Sequence, residues 1–137
     1  MSRRTENAES YLLGMNTGDL ETALKAFAED ATYYGIQKVD GKITRKLHAN
    51  KQELRNYIGN WLRTASRGIT YKVLSSTELG DGVFVHWTDE ATGEGEHYEN
   101  EGMMVFEFHD DDTIKHARAY QHLGPLEQWS FAGAQDD

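Results

Sequence analysis

Residues Glu96 to Leu123 read EHYENEGMMVFEFHDDDTIKHARAYQHL, and the phase of this stretch decides the fold. Two runs of alternating character flank His109 to Asp112, whose Asp-rich composition marks a turn, so the stretch predicts an antiparallel hairpin. If Phe108 pairs with Thr113, then Met104 faces Ala117, Gly102 faces Ala119 and Asn100 faces Gln121, which makes one side apolar with small residues at its centre. The other side collects Glu99, Glu101, Glu107, His116, Arg118, Tyr120 and His122, a charged face suited to water or to a second subunit.

Working outward, two more strands precede the hairpin, roughly Ile69 to Glu78 and Val83 to Ala91, with Gly80-Asp81-Gly82 and Gly93-Glu94-Gly95 as turns. Upstream the period changes from two to 3.6. Thr5 can cap a first helix carrying Ala8, Tyr11, Leu12 and Met15; Asp19 opens a second with Leu20, Leu24 and Phe27, ending near Ala28. Ala31 to Ile36 and Lys42 to Lys46 read as strands around Asp40-Gly41. Asn50 and Glu53 form a capping box ahead of Leu54, Tyr57, Ile58, Trp61 and Leu62, and Gly68 closes that third helix. Helices first and an antiparallel meander afterwards is an α+β arrangement, in which the helices cover one face of the sheet.

At 137 residues the chain has the length of one domain, taken as 1–137 with an ordered core over about 5–131. It has no cysteine, which excludes disulfides and thiolate chemistry. With 14 basic against 23 acidic residues the formal charge is −9, a repulsive field toward phosphate backbones, so nucleic acid is not an expected partner. No apolar run reaches the ~20 residues of a membrane span, and Met1-Ser2-Arg3-Arg4 leads into polar residues, so a soluble cytoplasmic protein is expected.

Four segments, Tyr11–Thr32 (YLLGMNTGDLETALKAFAEDAT), Asn50–Leu62, Val83–Thr88 (VFVHWT) and Met104–Tyr120, occur in the order of the nuclear transport factor 2-like superfamily. The chain resembles in particular its ketosteroid isomerase and SnoaL-like polyketide cyclase branch. That resemblance implies a cone-shaped curved antiparallel sheet wrapped by about three N-terminal helices, a pocket for an apolar small molecule, no cofactor, and a homodimer through the outer sheet face. It places Tyr11 where the isomerases hold the tyrosine that binds the developing oxyanion. The isomerase carboxyl positions fall on Gly35 and Met104, and both carboxyls are missing. The aspartate that SnoaL-like cyclases carry after the last strand is replaced by His122. Limonene epoxide hydrolase is similar over Ala117 to His122, with its water-activating carboxylate falling on Ala119.

A pocket lacking those carboxylates needs another proton carrier, and His86 is the first candidate. A three-residue connection pairing Thr92 with Glu96 puts His86 on the side of Asn100. A two-residue turn pairing Thr92 with Gly95 puts Trp87 and Asp89 there instead, and both registers remain open. The expected catalytic residues are therefore Tyr11, His86 and His122, with Tyr34, Trp61, Tyr98, Asn100, Met104, Phe106, Ala119 and Gln121 lining or binding the substrate. His97, His109 and His116 share no metal-ligand spacing with one another, and no metal is expected. The function this composes is a cofactor-independent isomerase, cyclase or dehydratase acting on a polyketide- or steroid-like molecule. The alternative is a binding or assembly module without chemistry.

Overall fold

A computed structural model gives the fold, and it describes residues 2–40, 42–64, 69–93, 96–121 and 134–135. Helix α1 spans Arg3–Thr17 and α2 Leu20–Leu24; strands β1 (Phe27–Val39) and β2 (Lys42–His48) lead to α3 (Lys51–Thr64). Strands β3 (Ile69–Leu79), β4 (Gly82–Gly93), β5 (Glu96–Phe108) and β6 (Ile114–Gln121) follow, and β7 (Ala134–Gln135) is a two-residue strand. The curved, unclosed sheet runs β2-β1-β6-β5-β4-β3, with β7 paired to β1. Pairing is antiparallel except for β1 with β6 and β7, so the α+β expectation holds. No helix among the described residues is long and apolar enough to cross a membrane.

Local chemistry sets the helix ends. Ser2 rather than Thr5 caps α1: the Thr5 amide donates to Ser2 Oγ at 3.1 Å, which frees the Thr5 hydroxyl to donate to Glu78 on β3 at 2.8 Å. Asp19 caps α2 as expected, accepting from the Thr22 amide at 3.2 Å. That helix stops at Leu24 rather than near Ala28, because the Ile114 amide donates to the Ala26 carbonyl and Phe27 pairs with Ile114; a strand partner captures the chain. On α3, Asn50 Oδ1 accepts from the Glu53 amide at 2.9 Å, and the Glu53 carboxylate reaches back to the Ala49 amide at 3.0 Å.

The helices lie across the inner face of the sheet, where Leu12, Met15, Leu24, Leu54 and Ile58 meet Val83, Val85, Trp87, Met104 and Phe106 in one buried core. Gly14 lets α2 reach α1: a Cβ there would stand 2.2 Å from the Ala23 nitrogen. Asn16, at the end of α1, grips β3 with its amide. Its Nδ2 donates to the Tyr71 carbonyl at 2.8 Å, and its Oδ1 accepts from the Tyr71 amide.

The β5–β6 register differs from the expected one by two residues. Gly102 pairs with Gln121, Met104 with Ala119 and Phe106 with Ala117, and a bulge between Glu107 and Phe108 absorbs the extra residue. A shift of two preserves sides, so the apolar face is the expected one, but Asn100 faces Asp89 on β4 instead of Gln121. The β4–β5 register is Gly93 with Glu96 and Thr92 with His97, which directs Trp87 and Asp89 inward and His86 outward.

Candidate functional site

Residues from seven elements close around a cavity at the centre of the inner face. Tyr11 and Met15 come from α1, Tyr33 from β1, and Tyr57, Ile58 and Trp61 from α3; Tyr71, Trp87, Met104, Ala119 and Gln121 complete it from the sheet. Its volume is about 20 Å³, room for one water molecule. Small residues make the depth: Gly102 stands beside Trp87, and a Cβ there would lie 2.8 Å from the indole.

The polar groups in this wall are few. Tyr11 and Tyr33 place their hydroxyl oxygens 3.2 Å apart, and the Tyr57 hydroxyl donates to the Ile36 carbonyl. Desolvation pushes all three phenol pKa values well above the ordinary 10; for Tyr11 the negative charge of Asp89 pushes the same way, as a smaller contribution. They are therefore hydrogen-bond donors at any physiological pH. Two hydroxyls carry two protons, and a Tyr11–Tyr33 hydrogen bond uses one. The second proton belongs to a hydroxyl of the same cavity wall.

Asp89 is 3% exposed, one row along β4 from the cavity wall. The Trp87 indole N–H donates to its Oδ1 at 2.9 Å, fixing the carboxylate on the inner side of the sheet. Asn100 sits opposite it on β5, its Oδ1 accepting from the Glu101 amide at 2.8 Å, which orients the NH2 group the other way. On β2, His48 is also buried and packs its ring on Tyr57 with centroids 4.3 Å apart.

The structure brings together Tyr11, Trp61, Met104, Ala119 and Gln121 from the expected set. Phe106 lies behind them as core, its ring 6.3 Å from that of Tyr11. Asn100 is buried beside Asp89 rather than against the cavity, in the wall of a separate groove. Two residues point away. His86 lies on the outer face with Nε2 3.0 Å from a Glu101 carboxylate oxygen, because the observed register gives the inward position to Trp87. Tyr34 also faces outward, under the Arg118 guanidinium at 5.1 Å, because β1 turns Tyr33 to the inside. His122 and the Tyr98 side chain lie outside the described residues. Sequence reasoning passed over Tyr33, Tyr57, Tyr71 and His48; the alternation Ala31, Tyr33, Gly35 carried the signal for Tyr33.

The SnoaL-like domain model matches residues 8–117 of the chain. Among solved structures, Bal32a from a soil-derived mobile gene cassette is similar at 16% identity and a TM-score of 0.78, covering 94% of this chain and 95% of that one. An NTF2-like protein from Anabaena variabilis is similar at 20% identity and a TM-score of 0.73, covering 89% and 94%. The epoxide hydrolase/cyclase-like enzyme SalBIII, described for pyran ring formation in the polyether salinomycin, matches at 21% identity and a TM-score of 0.69, covering 88% and 92%. These likenesses establish the nuclear transport factor 2-like fold. No curated protein matches the sequence.

Proposed function

Because the chain belongs to the SnoaL-like family, we propose that it is a cofactor-independent isomerase, cyclase or dehydratase that moves a proton on a small, apolar, oxygenated molecule. The observation that carries this reading is the Tyr11–Tyr33 hydroxyl pair, 3.2 Å apart in a buried cavity and holding one proton beyond its own hydrogen bond. A substrate carbonyl or ether oxygen entering the cavity accepts that proton as a hydrogen bond, which grows stronger as negative charge develops on the oxygen. Asp89 is the group we assign to proton transfer, in place of His86: among the described residues it is the buried carboxyl of this face, and Trp87 holds its position. His122 keeps its proposed role as a second proton carrier.

The cavity is smaller than any ring substrate, so binding displaces lining side chains. Met15 and Met104, unbranched and adaptable, are suited to that movement. The expected homodimer would use the outer sheet face, where Met103, Tyr120 and Leu47 are exposed; sedimentation at two concentrations tests it.

The chemistry is tested by deuterium exchange at the α-carbon of cyclic ketones in D2O, followed by NMR across a panel of ring sizes. Wild-type protein should accelerate exchange for at least one ketone. Asp89→Asn should slow it by about 10²–10⁴, and Tyr11→Phe or Tyr33→Phe by about 10²–10³. Ketones that bind with no exchange would support the binding-module alternative, and exchange unaffected by Asp89→Asn would remove the carboxylate from the mechanism.

A further inference from the structure

The outer face of the β4–β5 hairpin carries a second group of side chains that the proposed chemistry does not use. Register sets Glu90 on β4 directly opposite Glu99 on β5, with His97 one row further along. Like charges facing each other across an antiparallel ladder repel, here on a chain whose formal charge is already −9. All three side chains are exposed, so no packing demand forces them together. They nevertheless converge. His97 Nε2 lies 3.1 Å from Glu99 Oε1 and 3.9 Å from Glu90 Oε2, and the three ligand-type atoms all fall within 4.8 Å of one another.

A protonated His97 between the two carboxylates accounts for the convergence, as a 3.1 Å hydrogen bond to Glu99 and a 3.9 Å ion pair with Glu90, and the same spacing also suits a metal ion. A tetrahedral ion with bonds of about 2.0–2.2 Å to imidazole nitrogen and carboxylate oxygen holds its ligand atoms roughly 3.3–3.5 Å apart, between the two observed separations. Glu90 and Glu99 also border a groove of about 370 Å³, with Thr70, Lys72, Thr88, Asp89 and Asn100 as its other walls, which leaves space for a water ligand. Lys72 offers the carboxylates one positive neighbour, but an ammonium donates hydrogen bonds and cannot bring an imidazole nitrogen and two carboxylates to a common centre. One imidazole with two carboxylates suits zinc and its neighbours in the first transition row, whereas magnesium and calcium favour oxygen ligands alone.

We propose that Glu90, His97 and Glu99 together bind one divalent transition-metal ion of the zinc class, on the side of the sheet opposite the cavity. The ion ties β4 to β5 next to Asp89 and Asn100, which share the groove with Glu90 and Glu99. Separation along the chain hid the site, since its members come from two strands and meet only through the register.

Calorimetric titration of ZnCl2 into the full chain, freed of metal by a chelator, tests this directly. The wild type should bind one ion per chain with a saturable isotherm. His97→Ala and the double variant Glu90→Gln/Glu99→Gln should each lose at least about tenfold in affinity. His86→Ala, which breaks the separate His86–Glu101 contact on the same face, should bind like the wild type. Matching urea midpoints would confirm that these surface variants stay folded. The proposal is overturned if the wild type shows no saturable binding, if His97→Ala binds as tightly as the wild type, if His86→Ala loses as much as His97→Ala, or if MgCl2 binds as tightly as ZnCl2.

Discussion

Removing the indole N–H that holds Asp89 is the most searching perturbation of the inner face. In Trp87→Phe the Asp89 carboxylate, 3% exposed, loses a 2.9 Å hydrogen bond from a neighbour that is itself only 1% exposed. A hydrogen bond to a charged group contributes about 1.5–3 kcal/mol. The smaller ring also leaves part of the indole volume unfilled, which costs roughly 1–2 kcal/mol, well under the 3–5 kcal/mol of a full aromatic truncation. The sum, about 2.5–5 kcal/mol, is a large share of the ~5–15 kcal/mol that stabilises an ordinary domain. Asp89→Asn retains an oxygen able to accept from the indole and should cost only about 1 kcal/mol. If the two groups act as a pair, Trp87→Phe/Asp89→Asn should be less destabilised than the sum of the single variants by about 1–2 kcal/mol. Urea unfolding of the four proteins, followed by far-UV circular dichroism at constant slope, measures each term. Additivity within about 0.5 kcal/mol would show that the indole N–H does not hold the carboxylate, and the positioning argument for Asp89 would fail with it.

Two other outcomes follow from the same structure. Gly14→Ala gains helix propensity of up to about 1 kcal/mol, but its Cβ would press on the Ala23 backbone at 2.2 and 2.5 Å, so a net loss of stability and a lower Tm are expected; an unchanged or higher Tm would mean that α1 and α2 do not pack this closely. The buried tyrosines predict alkaline sensitivity: their folded pKa values lie well above 10, so above about pH 10 the unfolded chain releases protons that the folded one retains. Stability is therefore full below about pH 10 and falls as pH rises from there toward the folded values, by about 1.4 kcal/mol per pH unit for each such tyrosine. Urea midpoints between pH 9.5 and 11 should show this, with a shallower slope in Tyr57→Phe; equal slopes would place Tyr57 in water.

The sequence carried the fold further than the site, for a physical reason. Helices announce themselves through a 3.6-residue stripe and a cap, and Asn50 with Glu53 or Asp19 with Thr22 can be read without tertiary information. Sides of strands are equally legible, since a two-residue error in pairing Phe108 leaves Met104, Ala117 and Ala119 facing inward. A one-residue ambiguity is different in kind: it exchanges His86 for Trp87, and the energy separating those alternatives lies in the fit of the indole against Gly102 and of Asp89 against Asn100 across strands. The same holds for Tyr34 and Tyr33. Helix α2 illustrates a third case, in which the stripe ending at Phe27 is real but a hydrogen bond from Ile114, far along the chain, to the Ala26 carbonyl diverts the chain into a strand.

The grip of Asn16 on Tyr71 has a bearing on how copies of this protein behave in a crowd. Among the described residues β3 is an outermost strand of the sheet, so alternate amides and carbonyls along it face away from β4, where an incoming extended chain would pair. Tyr71 presents one such amide and carbonyl, and the Asn16 side chain occupies both, acting as a single-residue stand-in for the missing neighbour. The break in pairing between Val73 and Ser75 bends the rest of the edge out of line. A helix-borne amide thus closes the template near the start of β3, and protection against strand-to-strand aggregation is built into the same contact that fastens α1 to the sheet.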